Sequence, residues 1–495
     1  MILRSINIAA GMMHSNNHFK GNYLMGKMKY MKFFFILSII TSFAACNKLP
    51  STPGPDEELQ KLLPELLELD ALIHPSGGSS PNLSHDALKP LSFLGNSTIV
   101  GLGEATHGTR EFFQMKHRIF KYLVEKHNFK IFGFEADMGE SYYLNRYVIH
   151  GEGSLNNLMN TKMHFWTWKT QEVRDLLEWM RKYNEGRAEE DKIHYIGFDN
   201  QFLTYQPDLL LDYFNRVKPE YVDTLNPFLN MITSLNNKST SELALSYSRM
   251  DANRKQEISD SLDILLSGID EIENELISSS SNFEYQYMRQ LVRNMQQVND
   301  VLYNYAHNQR ISIRDQYMAE NAMWLSGLFG ANTKTALWAH NGHVGRIYGT
   351  MGTYLKETLG EQYQTVGFTF STGSFYAFGT DEAPQNSRGL RVHKIDSPPP
   401  EGSLNHLFNL AKYDNFMLSV ADIPTTSALG DRFELSRPYL MLGSVYNGDS
   451  SPYYRNVFNR DLYDVLIHFD KTTAARRLNI QFTKGTNHSP DPTHQ

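Results

Sequence analysis

Five short runs of uninterrupted apolar residues limit what this chain can fold into. STIVGLG (97–103), FKIFGFE (129–135), IHYIGFD (193–199), KTALWAH (334–340) and QTVGFTF (364–370) are rich in β-branched and aromatic residues, and longer stretches with helical periodicity separate them. A strand with one wet face alternates polar with apolar; these runs do not, so both faces are expected to be covered. Strands covered on both faces and joined through helices make a parallel sheet. The expected class is therefore α/β, a mostly parallel central sheet flanked by helices. Between about 204 and 330 the pattern turns purely helical. Leu262, Leu265, Leu266, Ile269, Ile272 and Leu276 recur at spacings of three and four, as do Met288, Leu291, Met295, Val298, Leu302 and Tyr305. This predicts a helical insertion or subdomain.

Four of the runs end in polar clusters: GEATHG after the first, EAD at 135–137, DNQ at 199–201 and HNGH at 340–343. Ligands of open α/β sheets bind where the carboxyl ends of the strands converge. Singly, each cluster has a bland explanation. Glu104 could cap a helix starting near Thr109, and a lone histidine is more often a packing residue than a catalyst. Together they predict one cleft holding Glu104, His107, Glu135, His340 and His343 as candidate catalytic residues. Gly101, Gly103 and Gly108 predict a sharp strand-to-loop-to-helix turn with close backbone approach.

An imidazole can take a proton from water while a carboxylate orients the ring and stabilises the imidazolium. A second histidine or a cation then meets the charge that develops on a carbonyl oxygen, a role open to His340, His343 or Lys116. No GxSxG elbow surrounds a serine, so water is the expected nucleophile. The same side chains are donors that zinc or manganese accept, which makes a metal-dependent hydrolase or peptidase the alternative, although no HExxH motif is present. A third reading is a non-catalytic, ligand-binding surface lipoprotein with Trp166, Trp168 and Tyr142 in its pocket.

The amino-terminal region points to the cell envelope. Lys27, Lys29 and Lys32 precede an apolar stretch from Phe33 to Ala45, too short to span a bilayer as a helix. FAAC at its end resembles the bacterial lipobox, which implies cleavage before Cys46 and a membrane-anchored lipoprotein diacylated there. Residues 1–45 are then the signal segment, with Met28 or Met31 as a more economical start, and 46–56 a lipidated tether through PSTPGP, whose residues 50–55 are not expected to be helical. Residues 481–495 are expected to be a disordered tail. Cys46 is the only cysteine, so neither a disulfide framework nor a Cys-rich zinc site can form. A net charge of -7 without a basic block argues against a nucleic-acid partner.

GEATHGTREF, GFEAD, NQRISIRDQYMAENAMWL, WAHNGHVGR and YDVLIHFD, in this order from about residue 95 to 470, together resemble the erythromycin esterase family. The resemblance implies that residues 57–480 form an erythromycin esterase-like α/β hydrolase domain that opens a macrolactone or related ester. It further implies His107 as general base, with Glu104, Glu135, His340 and His343 in the same cleft, and no cofactor. Family members usually carry an arginine nine residues after the base histidine; here that position is Lys116, with Arg110 and Arg118 nearby. Lys116, Arg110, Arg118, Trp166 and Trp168 are therefore the expected substrate-binding residues. The wider fold family also resembles metal-dependent peptidases, which keeps a divalent metal as the alternative.

Overall fold

The computed structural model describes residues 55–233, 240–306, 313–331, 333–380 and 389–478. The signal segment, Cys46, tether residues up to 54 and the expected tail lie outside the described residues. The first helix, α1, spans Pro55–Leu72 and so begins inside the stretch expected to be non-helical. Proline is tolerated there because the first helical N–H has no intrahelical partner.

Among the described residues twelve strands follow in chain order: β1 His74–Pro75, β2 Ile99–Leu102, β3 Phe129–Asp137, β4 His194–Asp199, β5 Lys334–Trp338, β6 Tyr363–Gly379, β7 Gly389–Ile395, β8 Asn415–Ser419, β9 Ser436–Leu440, β10 Val445–Tyr446, β11 Tyr454–Phe458 and β12 Val465–Thr472. Ten of them form one sheet with the path β1-β8-β12-β6-β2-β5-β3-β4, and β7 and β10 pair with β6. The stretch from β12 through β6, β2, β5 and β3 to β4 is parallel throughout. These include all five expected runs. The antiparallel additions, β1, β7 and β8, were not anticipated.

Helices α2 Arg110–His127, α3 Met138–His150, α4 Leu155–Thr161, α5 Gln171–Asn184 and α6 Gln206–Val217 lead into a run of α7 Val222–Thr233, α8 Thr240–Ser248, α9 Ala252–Glu271, α10 Glu273–Ser279, α11 Asn282–Ala306 and α12 Ile313–Gly327. The expected helical insertion is thus present. Leu262, Leu265, Ile269 and Leu276, and Met288, Leu291, Met295, Val298 and Leu302, are buried as their spacing requires. One sheet face carries a core shared with α2 and α5, the other a core shared with α6, α9, α11 and α12. On the first face Phe113, Phe134, Trp168 and Trp338 pack edge to face, with Trp168 and Trp338 at 5.7 Å and 88° and Phe113 and Trp338 at 4.9 Å and 73°. Each such pair adds roughly 0.5–1.5 kcal/mol beyond its buried area.

Two departures from regular pairing shape the carboxyl end. Between Phe134 and Asp137 strand β3 carries one residue more than β4, which runs from Gly197 to Asp199 over the same interval. Such a bulge re-aims side chains, here at Glu135. Strand β6 runs on past β2 and β12, and this overhang pairs with β7 from Gly373 to Gly379.

Candidate active site

The loop between β2 and α2 delivers Glu104 and His107. None of Gly101, Gly103 and Gly108 adopts a positive φ, so they do not serve as turn formers as expected; all three serve close approach. A Cβ on Gly108 would run into the backbone of Tyr376 on the β6 overhang, and one on Gly103 into Asn341 Oδ1. Tyr376 N and Ala475 N both donate to Gly108 O, at 3.1 and 2.9 Å, which pins the loop from two sides.

Glu104 is fully buried and is not a helix cap. Its Oε1 lies 2.8 Å from His107 Nδ1, while its Oε2 accepts from Lys116 Nζ at 2.7 Å and Trp338 Nε1 at 2.9 Å. Because the carboxylate only accepts, His107 Nδ1 carries a proton, and in the neutral ring the lone pair is then on Nε2. The His107 ring stands 5.0 Å from that of His340, centroid to centroid. His340 caps α13, Asn341–Val344, by accepting Gly342 N at its own Nδ1, 3.0 Å away. An accepting Nδ1 puts the proton of neutral His340 on Nε2.

Glu135 joins this pair to a second group of charges. Its Oε2 accepts His340 N at 2.9 Å, and its Oε1 accepts Arg314 Nη2 at 3.0 Å and lies 3.2 Å from His343 Nε2. Burial alone would raise the Glu135 pKa, but His343 and Arg314 outweigh it and hold the carboxyl well below the usual range. Arg314 also grips both oxygens of Asp199 at 2.9 Å. Asp315 Oδ1 takes His343 Nδ1 at 2.7 Å. Although burial works against the charged ring, Asp315 and Glu135 push His343 up to about 10. Asp315 itself is lowered, since His343 more than offsets burial.

The structure thus brings Glu104, His107, Glu135, His340 and His343 into one buried network at the carboxyl ends of β2, β3 and β5, with Asp199 reaching in from β4. Sequence reasoning missed Arg314 and Asp315. They sit in the quoted NQRISIRDQYMAENAMWL segment, at the start of α12, where the only signal was an adjacent Arg-Asp pair opening an apolar helix.

The expected substrate-binding residues fare differently. Lys116 has no exposed surface; behind Glu104, its ammonium also lies 4.6 Å from the Trp338 ring, and burial pulls its pKa down to about 8 against the attraction of Glu104. It neutralises Glu104 and does not face a ligand. Arg118 is buried elsewhere, donating to the carbonyls of Ser76, Gly78 and Ser84 at 2.6–2.8 Å, so it braces a loop. Trp168 belongs to the aromatic core and is 1% exposed. Arg110 is partly exposed and reaches toward Glu172 at 3.7 Å. Trp166 is partly exposed and meets Phe378 of the β6 overhang, two residues beyond the Tyr376 that holds Gly108. Tyr142 packs on Tyr287 of α11, 5.3 Å away.

Comparison with known proteins identifies the family. Residues 124–472 match the model of the family described as erythromycin esterase, a span that begins after Glu104 and His107. Erythromycin esterase type II of Escherichia coli is 24% identical over 372 residues, covering 70% of this chain and 86% of that protein. Among solved structures, a Bacillus cereus protein superposes with a TM-score of 0.71 at 24% identity, covering 84% of this chain and 98% of its own. A mutant of the erythromycin esterase EreC in its open conformation gives 0.61 at 16% identity, covering 83% of this chain and 99% of that one. The chain belongs to the erythromycin esterase family.

Proposed function

We propose that the protein hydrolyses a macrolactone or related ester with water activated by His107. The observation that carries this reading is the pair of complementary tautomers. Glu104 fixes the His107 proton on Nδ1 and leaves Nε2 basic, while Gly342 N–H fixes the His340 proton on Nε2, where it can be donated. In the reaction His107 Nε2 takes a proton from water, and the hydroxide oxygen bonds to the ester carbonyl carbon. His340 Nε2–H meets the negative charge on the carbonyl oxygen. Collapse breaks the bond to the alkoxy oxygen, which receives the proton from His107 and leaves as an alcohol. From a lactone the product is the ring-opened hydroxy acid, one water heavier. His343 supplies no oxyanion contact in this scheme, because its two ring nitrogens face Asp315 and Glu135; it holds Glu135, which in turn holds the backbone of His340.

The donor set does not suit a metal. Among the described residues no group of three or more His, Cys, Asp or Glu side chains is arranged to hold an ion, and the oxygens of Glu104 and Glu135 already accept N–H donors from Lys116, Trp338, Arg314 and His340. The proposed chemistry uses no metal, and chelation tests that choice. Incubation with macrolides and simple lactones, followed by mass spectrometry, tests the function. A gain of one water with wild type, absent with His107→Ala and insensitive to chelator, is expected. Loss of activity on chelation with recovery on adding zinc or manganese would replace this mechanism by a metal-dependent one, and binding without any mass change by the ligand-binding reading.

For location, we propose a lipid anchor at Cys46, supported by the Lys, apolar and FAAC order of the sequence. No helix among the described residues is long and apolar enough to cross a membrane. Cys46→Ala should release the protein from the membrane fraction; unchanged sedimentation with membranes would refute the anchor.

A further inference from the structure

The segment from 162 to 170, between α4 and α5, forms a strap tied at both ends to the elements that carry the site. At its far end, Gln171 N donates to Arg476 O at 2.7 Å and Leu478 N to Lys169 O at 3.1 Å. The same 473–478 segment reaches Gly108 O through Ala475 N, so one stretch of chain connects the strap to the His107 loop. At the near end, Tyr205 hydroxyl donates to Thr161 O at 3.0 Å, and the Lys162 ammonium lies 3.8 Å from the Tyr143 ring and 4.8 Å from that of Tyr205.

The strongest tie at the near end is a buried clasp. One oxygen of Glu140, Oε2, meets both the backbone N of His164, at 2.6 Å, and its ring Nδ1, at 2.5 Å. His164 Nε2 lies 2.9 Å from Thr204 Oγ1, and its ring stacks on Phe202 at 4.2 Å and 7°. The other carboxyl oxygen of Glu140 is buried with no hydrogen-bond partner among the described residues, so a charge on this group would be poorly supported. Burial drives Glu140 up to about 8 and His164 down to about 4, the directions expected of a pair that stays neutral overall. Glu140 itself stands in the first turn of α3, five residues after Glu135. None of this is needed for proton transfer at His107, yet it fixes the position of Trp166, two residues past His164.

We propose that Glu140 and His164 are positioning residues: their clasp holds the strap so that Trp166 stands against Phe378 beside the His107 loop, and this contact forms the wall that receives a bulky ester. The proposal rests on the esterase reading. It assigns substrate size selection to a contact between the strap and the β6 overhang.

The test compares wild type with His164→Ala, Glu140→Ala and Glu140→Gln on p-nitrophenyl acetate and p-nitrophenyl adamantanecarboxylate, together with amide hydrogen exchange across 162–170. In the two alanine variants the KM ratio of bulky to small ester should rise about tenfold, and exchange in the strap should rise at least about tenfold while β2, β3 and β5 stay protected. Glu140→Gln keeps a carbonyl oxygen for His164 N and should fall between. Should an alanine variant not fold, Thr204→Val, which removes only the hydroxyl at Nε2, carries the same comparison. Unchanged strap exchange, or an equal loss on both esters, would overturn the proposal. A wild type that hydrolyses neither ester would count against the esterase reading instead, and strap exchange would still decide whether the clasp exists.

Discussion

His107 and His343 belong to one buried network, yet their surroundings differ in kind. His107 has a carboxylate on one nitrogen and the His340 ring beside it, and in the proposed reaction its second nitrogen takes up and releases a proton. His343 lies between two carboxylates, with Arg314 Nη1 3.1 Å from its Nε2. That contact cannot be a hydrogen bond when the ring is doubly protonated, since both groups would donate. The two carboxylates nevertheless hold the charge on the ring. Similar chemistry, one histidine per site of the sheet, thus leaves the proposed proton carrier in one place and a cation held by carboxylates in the other. The cause is the number of carboxylates in direct contact with the ring.

If that contrast holds, the largest loss of turnover belongs to the carrier. His107→Ala should reduce kcat by about 10² to 10⁴-fold with the fold intact, because general-base catalysis is typically worth that much. Steady-state hydrolysis alongside circular dichroism checks both halves of the statement. Near wild-type activity would end the distinction at once.

Arg314 belongs to the fixed half and should show a mixed effect. Arg314→Met leaves Asp199 and Glu135 without their shared cation, and breaking a buried pair in this way costs about 3–5 kcal/mol. Glu135 would then no longer be held against His340 N, and a displacement of that kind can lower kcat by about 10²-fold. Denaturant unfolding and kinetics together test it. Loss of activity without loss of stability would move Arg314 from the holding half to the reacting half.

The pH dependence of stability separates the two histidines further. His343 binds its proton more tightly folded than unfolded, with its pKa raised from 6.5 to about 10. Its stabilisation is therefore fully present below about pH 6.5 and is lost as pH rises through about 10. Lys116, lowered from 10.5 to about 8, acts in the opposite sense, since its buried charge opposes folding until it deprotonates. The difference between wild type and His343→Asn isolates the first term: the variant should lose less stability than wild type between pH 7 and 10. Parallel curves would mean that His343 is not a fixed cation.

Much of this was legible before any coordinates. Continuous apolar runs announced the parallel strands, and the polar residues at their ends announced the site, because side chains at the carboxyl edge of a parallel sheet have nowhere else to converge. The strands β8 and β12 and the overhang of β6 carry the same apolar pattern but gave no hint of direction or partner. Arg314 and Asp315 enter from a helix start, and Arg314 bonds across 115 residues to Asp199, a separation that no local pattern encodes. Lys116 was misplaced for a related reason. Its expected role came from the resemblance, as the counterpart of an arginine nine residues after His107, and that spacing says nothing of the buried Glu104 that makes its burial tolerable.

The smallest effect on activity is expected at Arg118, one of the expected substrate-binding cations, which stands apart from both histidine groups. Its guanidinium serves three carbonyls, those of Ser76, Gly78 and Ser84, and thereby fastens the chain leading from β1 into the helical turn at His85–Asn96. Arg118→Gln can replace at most part of that set, and the carbonyls left without a donor should cost about 1–3 kcal/mol of stability. Turnover should stay within about twofold of wild type, with KM unchanged, because no part of the network from His107 to Asp315 touches it. A raised KM with stability preserved would return Arg118 to the substrate, and would require the loop at 76–84 to fold over the site rather than merely support the sheet.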